Sequence, residues 1–298
     1  MKNSSAKAII CAALCNIIWG FSFLFTQFGL DASPDPNVML SHRFMIATIS
    51  MVILMIFGKG KISFKGKNLW PIGLMLLLQV IYRFLETYGL LNSNTTISGM
   101  VLAAVPIVTI GTGALLLKEY PTRRQALFCV LPVVGVILMT VSGSELDVIK
   151  PLGIILLLLT LVTSALYKTV NRRAAQEYTP FERSFLMLAN SGLVFTLMGL
   201  GSVGWDVEVY FSPFQDTKYL VSVLILGLLC SVTAQLLNNY AVGKMSAFKM
   251  SSFGALSTLC SAFAGVVILE EPTHWMLYLG AILILVGIFQ IARPDKHR

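Results

Sequence analysis

Apolar runs of about twenty residues recur from one end of the chain to the other, separated by short polar connections. Each is long enough to cross a bilayer as a helix, at about 1.5 Å of rise per residue. Ten such spans are predicted, at roughly 8–30, 38–57, 69–91, 97–117, 125–142, 151–167, 184–203, 219–242, 250–269 and 273–292. The first run, Ala8–Leu30, is longer than a signal-peptide core and lacks a small-x-small cleavage site, so it reads as a retained span. No connection is long enough to fold as a separate soluble domain. The longest, Gly204–Lys218, carries Trp205, Tyr210 and Phe211, which suits an interfacial aromatic belt.

Two stretches echo each other. AAVPIVTIGTGALLLKEYPT (Ala103–Thr122) and GALSTLCSAFAGVVILEEPT (Gly254–Thr273) are both apolar and both end in Glu-x-Pro-Thr. The first follows span four and the second span nine, so an odd number of spans separates them and the copies face opposite sides. Leu69–Asn92 and Lys218–Gly243 extend the correspondence back by one helix. Pro272 is followed by Gly280 and Gly287; after Pro121 only Gly135 is kept, with Cys129 at the earlier position. The expected architecture is an all-α integral membrane protein of ten transmembrane helices, built from inverted five-helix repeats over 1–146 and 147–298. Inverted repeats of this kind are a mark of secondary transporters.

Composition agrees: 56% of the 298 residues are hydrophobic and 12% charged, against about 25% charged in soluble domains. The net charge of +8 suggests nucleic acid until its placement is read. With the N-terminus inside, the cytoplasmic segments hold Lys2, Lys7, Lys59, Lys61, Lys65, Lys67, Lys118, Arg123, Arg124, Lys168, Arg172, Arg173, Arg183, Lys244, Lys249, Arg293, Lys296 and Arg298. The outer segments hold only Lys150 and Lys218. That asymmetry satisfies the positive-inside rule, places both termini in the cytoplasm and removes the case for a nucleic-acid partner. The five cysteines all fall in apolar runs, with no metal-ligand spacing, and read as small packing residues.

Trp19-Gly20-x-x-Phe23 in span one and Arg43-Phe44 in span two join the Pro106-centred fourth span, which runs into Lys118-Glu119-Tyr120-Pro121-Thr122. With the second copy at Glu270-Glu271-Pro272-Thr273, their order and spacing resemble the EamA-type branch of the drug/metabolite transporter superfamily over essentially the whole chain. The resemblance implies a ten-helix bundle with a central substrate cavity that exports or exchanges small metabolites. Ser257 stands where the first copy has Pro106, and Ser164-Ala165 where span one has Trp-Gly; these departures concern helix kinks and cavity shape.

Arg43, Arg83 and Glu86 are the charged residues expected within spans. Charge at membrane depth costs about 2.5–3.5 kcal/mol on insertion scales, so such residues face the bundle interior and are functional candidates. Arg83 and Glu86 share a helix face with Gln79 and Tyr82. Arg83 or Arg43 would attract a carboxylate, and Glu86 would pair with it or carry a coupling proton; alternatively Arg43 and Glu86 latch helices two and three together. Trp19, too deep for an interfacial belt, either lines the cavity or packs on Phe21 and Phe23. Asn190, Gln235, Asn238 and Asn239 are candidates for substrate contact or for interhelical hydrogen bonds; Asn190 and Gln235 join the substrate set. His42 is expected to be solvated near the outer surface. Glu119, Glu270 and Glu271 read as caps of the following helices. Pro106 and Pro132 are expected to interrupt helices, and Gly111-x-Gly113 to allow close helix approach.

An intramembrane enzyme acting on an amphipathic substrate is the rival class. It would need a nucleophile with its base, paired carboxylates or a metal cluster, whereas the histidines are His42, His274 and His297, near surfaces or in the tail. No filter sequence or ATP-binding Gly-rich loop is present. The expectation is a cell-membrane secondary transporter, not an enzyme, with no cofactor or metal. Its partners would be a small-molecule substrate such as an amino acid and the lipid bilayer, and it would be a monomer or homodimer.

Overall fold

A computed structural model describes residues 2–31, 33, 35–92, 101–142, 151–268 and 274–293. Among these residues all regular structure is helical. The long elements are α1 (Lys2–Asp31), α2 (Pro36–Ile56), α3 (Leu69–Leu91), α4 (Val105–Leu117), α5 (Arg123–Ser142), α6 (Pro151–Ala174) and α7 (Pro180–Ser202). They are followed by α8 (Thr217–Ile225), a π-helical segment (Leu226–Thr233), α9 (Ala234–Lys244), α10 (Ala247–Phe253), α11 (Ala255–Ile268) and α12 (Trp275–Ala292). Eight helical stretches are long and apolar enough to cross a membrane: Ala6–Leu30, Pro36–Ile56, Leu69–Glu86, Pro151–Ala174, Pro180–Ser202, Thr217–Lys244, Ala247–Ile268 and Trp275–Ala292. The two other expected spans coincide with the shorter apolar helix Val101–Leu117 and with α5.

Local signals set the ends. Asp35 caps α2, with Pro36 opening it and the Asn37 amide bonded to the Asp35 carboxylate at 2.7 Å. Thr179 and Glu182 form a capping box at α7, again with proline at the first turn. The carboxylate of Glu182 also takes Lys67 at 2.7 Å and the Ser63 amide at 2.9 Å, tying the α2–α3 connection to the start of α7.

Helix pairs lie close where glycine replaces a side chain. A Cβ built on Gly135 of α5 would meet the Gly280 carbonyl of α12 at 2.6 Å, and one on Gly280 the Gly135 carbonyl at 2.5 Å. Gly20 of α1 faces the Ser257 carbonyl of α11 at 2.7 Å, and Gly199 of α7 faces the Asn37 carbonyl of α2 at 3.0 Å. Without a hydrophobic effect between helices in lipid, such small-residue contacts are how backbones gain packing energy. Gly111-x-Gly113 does not serve this way. Nothing faces Gly111, and the Gly113 carbonyl instead accepts the Glu119 amide at 3.1 Å where Lys118 turns left-handed at φ 55°.

Helix interruptions fall at Ala104, before Pro106, and at Gly254, before Ser257. In both places the chain uses an i→i+3 bond: Ala104 to Val101 at 3.1 Å and Gly254 to Ser251 at 3.0 Å. Proline supplies no N–H at the first joint, and the Ser257 hydroxyl takes the Gly254 carbonyl at 2.7 Å at the second. Pro132, expected to break its helix, sits inside an unbroken α5; the close approach of Gly287 packs α12 against its ring.

Two expected span edges move. The sixth span runs on to Ala174 and the seventh starts at Pro180, so Lys168, Arg172, Arg173, Glu182 and Arg183 lie within helices rather than in a loop. Charge asymmetry marked the basic residues among them as cytoplasmic but could not say that Arg183 is buried.

Candidate functional site

Helix α3 carries Gln79, Tyr82, Arg83 and Glu86 at i, i+3, i+4 and i+7, one face of an otherwise apolar helix. Gln79 is buried and donates to the Ser191 hydroxyl of α7 at 3.0 Å; its Oε1 is buried without a partner among the described residues. One position before Ser191, the Asn190 amide reaches the Leu76 carbonyl at 3.4 Å. The Tyr82 ring lies 5.2 Å from that of Tyr167 on α6, and the Arg83 guanidinium 5.0 Å above Tyr82. Arg83 Nη1 donates to Glu86 Oε2 at 3.0 Å.

The Arg83 side chain is 47% exposed and that of Glu86 25%. Charge at this depth disfavours contact with lipid tails. Tyr82, Tyr167, Lys168 and Arg43 all stand within electrostatic range of Arg83. The cluster thus gathers charged and aromatic groups from α2, α3 and α6.

Trp19 and Arg43 meet the π-helical segment instead of α3. Trp19 Nε1 donates to the Cys230 carbonyl at 2.9 Å, and Arg43 Nε to the Ser231 hydroxyl at 2.9 Å. A π turn disturbs the regular backbone ladder and frees groups for such contacts, and π segments frequently mark functional sites. The latch expected as an alternative between Arg43 and Glu86 is thus replaced by two separate bonds, Arg43 to span eight and Glu86 to Arg83. Gln235, two residues beyond the π segment, contacts the Met187 sulfur at 3.5 Å, as Tyr167 and Asn239 do at 3.6 Å.

Toward the face where α1 begins, Arg183 is 1% exposed. Its Nη1 donates to Asn171 Oδ1 at 2.7 Å and to Asn239 Oδ1 at 3.4 Å, and its Nη2 to the Asn239 carbonyl. Nε has no partner among the described residues. Asn239 thereby turns from a candidate substrate contact into a partner of Arg183. Beside it, Arg172 Nε pairs with Glu119 at 3.0 Å while its Nη1 donates to the Val242 and Gly243 carbonyls at 3.1 and 2.7 Å. Glu119 Oε2 accepts the Ala247 amide at 3.0 Å. The expected capping role for Glu119 is therefore corrected: it joins the end of α4 to α6 and to the α9–α10 corner. Glu270 and Glu271 lie outside the described residues.

His42 is corrected as well. It is fully buried, with Nδ1 2.7 Å from the Tyr219 hydroxyl, and is boxed by Tyr210, Phe211, Phe214 and Tyr219. Tyr210, expected in an interfacial belt, is 1% exposed because the short helix Val207–Phe211 folds over α2; it bonds Ser41. Trp205 and Phe211 do stay exposed.

Sequence reasoning missed Tyr167, Lys168, Asn171, Arg183, Ser191 and Ser231. A signal was present for Lys168, which continues the Ser164 face at i+4, but its charge had been spent on marking the end of a span. Among the described residues no three His, Cys, Asp or Glu side chains converge as a metal site would require. A groove of 720 Å³ opens between α1, α7 and α9, lined by Ile10, Phe181, Leu236 and Tyr240. Its lining is mostly apolar, edged by Lys7, Lys59 and Thr179, and holds none of the site residues, so the polar centre, not this groove, is the candidate site.

A bundle of membrane-length helices around an internal polar cluster, jointed at Ala104 and Gly254, defines a polytopic membrane protein built to handle a small solute inside the bilayer. The model of the EamA-like transporter family matches residues 6–141 and again 151–293. The chain belongs to the EamA-like transporter family. It is similar to "Uncharacterized transporter YcxC" of Bacillus subtilis (strain 168), at 34% identity over 97% of this chain and 93% of that one. The "Probable amino-acid metabolite efflux pump" of Salmonella typhimurium is 21% identical over 96% of this chain and 94% of its own. A crystal structure at 15% identity superposes over 96% of each chain with a TM-score of 0.77, a likeness of fold.

Proposed function

We propose that this chain is a secondary transporter of the cell membrane that exports or exchanges small metabolites such as amino acids by alternating access. Both termini face the cytoplasm, and ten membrane helices form two inverted five-helix repeats over 1–146 and 147–298. The reading is supported by the packing pattern. Exchanging the halves maps α3 on α6 to α8–α9 on α1, α4 on α6 to α11 on α1, and α2 on the π segment to α7 on α3. The pairs α2–α7 and α5–α12 map onto themselves. The joints at Ala104 and Gly254 correspond within a residue, and the family model matches once per half. Relatives named as amino-acid metabolite efflux pumps lend the substrate class.

The observation that carries the reading is the Arg83–Glu86 ion pair, partly exposed on a helix long and apolar enough to cross a membrane. In this mechanism Trp19, Arg43, Gln79, Tyr82, Arg83, Asn190 and Gln235 form the substrate site. Glu86 exchanges a proton as Arg83 turns from it to the substrate. The contacts of Glu119, Arg172 and Ala247 close the cytoplasmic end and separate when the site opens inward.

Purified protein in liposomes, assayed by counterflow with labelled amino acids with and without a pH gradient, tests this. Saturable exchange, with gradient-driven accumulation abolished in Glu86→Gln, is expected. Accumulation unchanged in a folded Glu86→Gln would refute the proton role, and an absence of saturable exchange for every amino acid would count against the substrate class.

A further inference from the structure

Charges along the bundle axis do not balance. Arg43, Arg83, Lys168 and Arg183 stand there against one carboxylate, Glu86, once the Arg172–Glu119 and Lys67–Glu182 pairs are set aside as neutral. Glu86 is engaged by Arg83. Among the described residues Arg43, Lys168 and Arg183 have no carboxylate within 4.0 Å. Neutral groups hold two of them: Ser231 and the face of Phe44, 5.6 Å away, for Arg43, and asparagine oxygens for Arg183; Lys168 has in electrostatic range only the carboxylate of Glu86, which Arg83 already engages. A cation at membrane depth without an anion is costly, and a site that keeps several has a reason to receive negative charge.

The cations also come from three different helices. Arg43 and Arg83 come from α2 and α3, and Lys168, next to Tyr167 in sequence, comes from α6, with Arg83 and Glu86 in its electrostatic range. A zwitterion with a neutral side chain would bring its ammonium into this field with only Glu86 to meet it. Two acidic groups on one small solute would meet both cation positions.

We propose that the transported solute is a small metabolite bearing two anionic groups, such as a dicarboxylate or an acidic amino acid, with one group at Arg43 and Arg83 and the other at Lys168. This rests on the transporter reading above and narrows its substrate. Lys168 is then a specificity-determining residue, and Arg183 extends the positive field toward the cytoplasmic end, where Tyr167 lies in electrostatic range of it.

The test is counterflow of labelled succinate, glutamate and leucine into liposomes holding the full chain. Succinate and glutamate should exchange and leucine should not. Lys168→Gln should weaken the apparent affinity for succinate by roughly tenfold, with Lys168→Arg restoring most of it. Arg43→Gln should act in the same direction, which guards against a variant that merely misfolds. Leucine exchange without succinate or glutamate exchange overturns this proposal while leaving the transporter reading in place. A folded Lys168→Gln with unchanged succinate affinity also overturns it. Failure of all three solutes to exchange, with no thermal stabilisation of the detergent-solubilised protein by succinate, overturns it too.

Discussion

Arg183 shows most directly how single residues carry this protein. A guanidinium buried to 1% exposure survives because Asn171 and Asn239 give it neutral acceptors from two other helices. Removing one acceptor leaves part of a buried charge unsatisfied, which costs about 1–3 kcal/mol or more for charged groups. Asn171→Ala should therefore lower the melting temperature of the purified protein by several degrees, measured by intrinsic fluorescence in detergent. A melting curve indistinguishable from that of the wild type would show that water replaces the amide. Tyr210 and His42 make a related point: a chain position near a predicted surface says little about exposure when a neighbouring loop can fold over it.

At the scale of elements, glycine contacts and joints divide the work. Gly135 and Gly280 bring α5 and α12 together until each backbone carbonyl occupies the place of the other's Cβ, at 2.6 and 2.5 Å. Gly135→Ala should force the pair apart, at about the 1–3 kcal/mol typical of overpacking, and lower thermal stability. A stability equal to the wild type would mean that the two helices separate freely. The corner built on Glu119 is a different element, one that opens in the proposed mechanism. Glu119→Ala removes the partner of Arg172 and the acceptor of the Ala247 amide. Cys129, fully buried beside Ser252 of α10 at 3.3 Å, reports on that corner. In protein whose other cysteines are replaced, alkylation of Cys129 should be faster in Glu119→Ala than with Glu119 present; equal rates would place the closure elsewhere.

For the whole molecule the proposal concerns topology and symmetry. Basic residues crowd the connections on one side, so a fluorescent protein fused after Arg298 should be bright and an alkaline phosphatase fusion inactive. The reverse pattern would invert the proposed orientation and, with it, which end the Glu119 corner closes. Exchange of the two halves preserves the helix pairings but not the details. Span eight carries a π segment where α3 is regular. That asymmetry lies where Trp19 and Arg43 attach, two residues of the proposed substrate site.

What the sequence determined by itself was the solvent of the chain and the order of its elements. Twenty-residue apolar runs have few physical outcomes other than membrane helices, and the motif Glu-x-Pro-Thr after expected spans four and nine is the sequence basis of the proposed repeat. Periodicity also put Gln79, Tyr82, Arg83 and Glu86 on one face, because the helical period is fixed before any packing occurs. Which groups meet across helices was decided only in three dimensions. Arg43 finds Ser231 and Trp19 finds the Cys230 carbonyl across some two hundred residues. Arg183 is buried although its neighbours in sequence mark a polar connection. In a bilayer every helix face is apolar by default, so the sequence holds almost no amphipathic signal to say which face turns inward. Tertiary packing makes that choice, through the positions where glycine lets backbones touch and where a buried charge must find its acceptors.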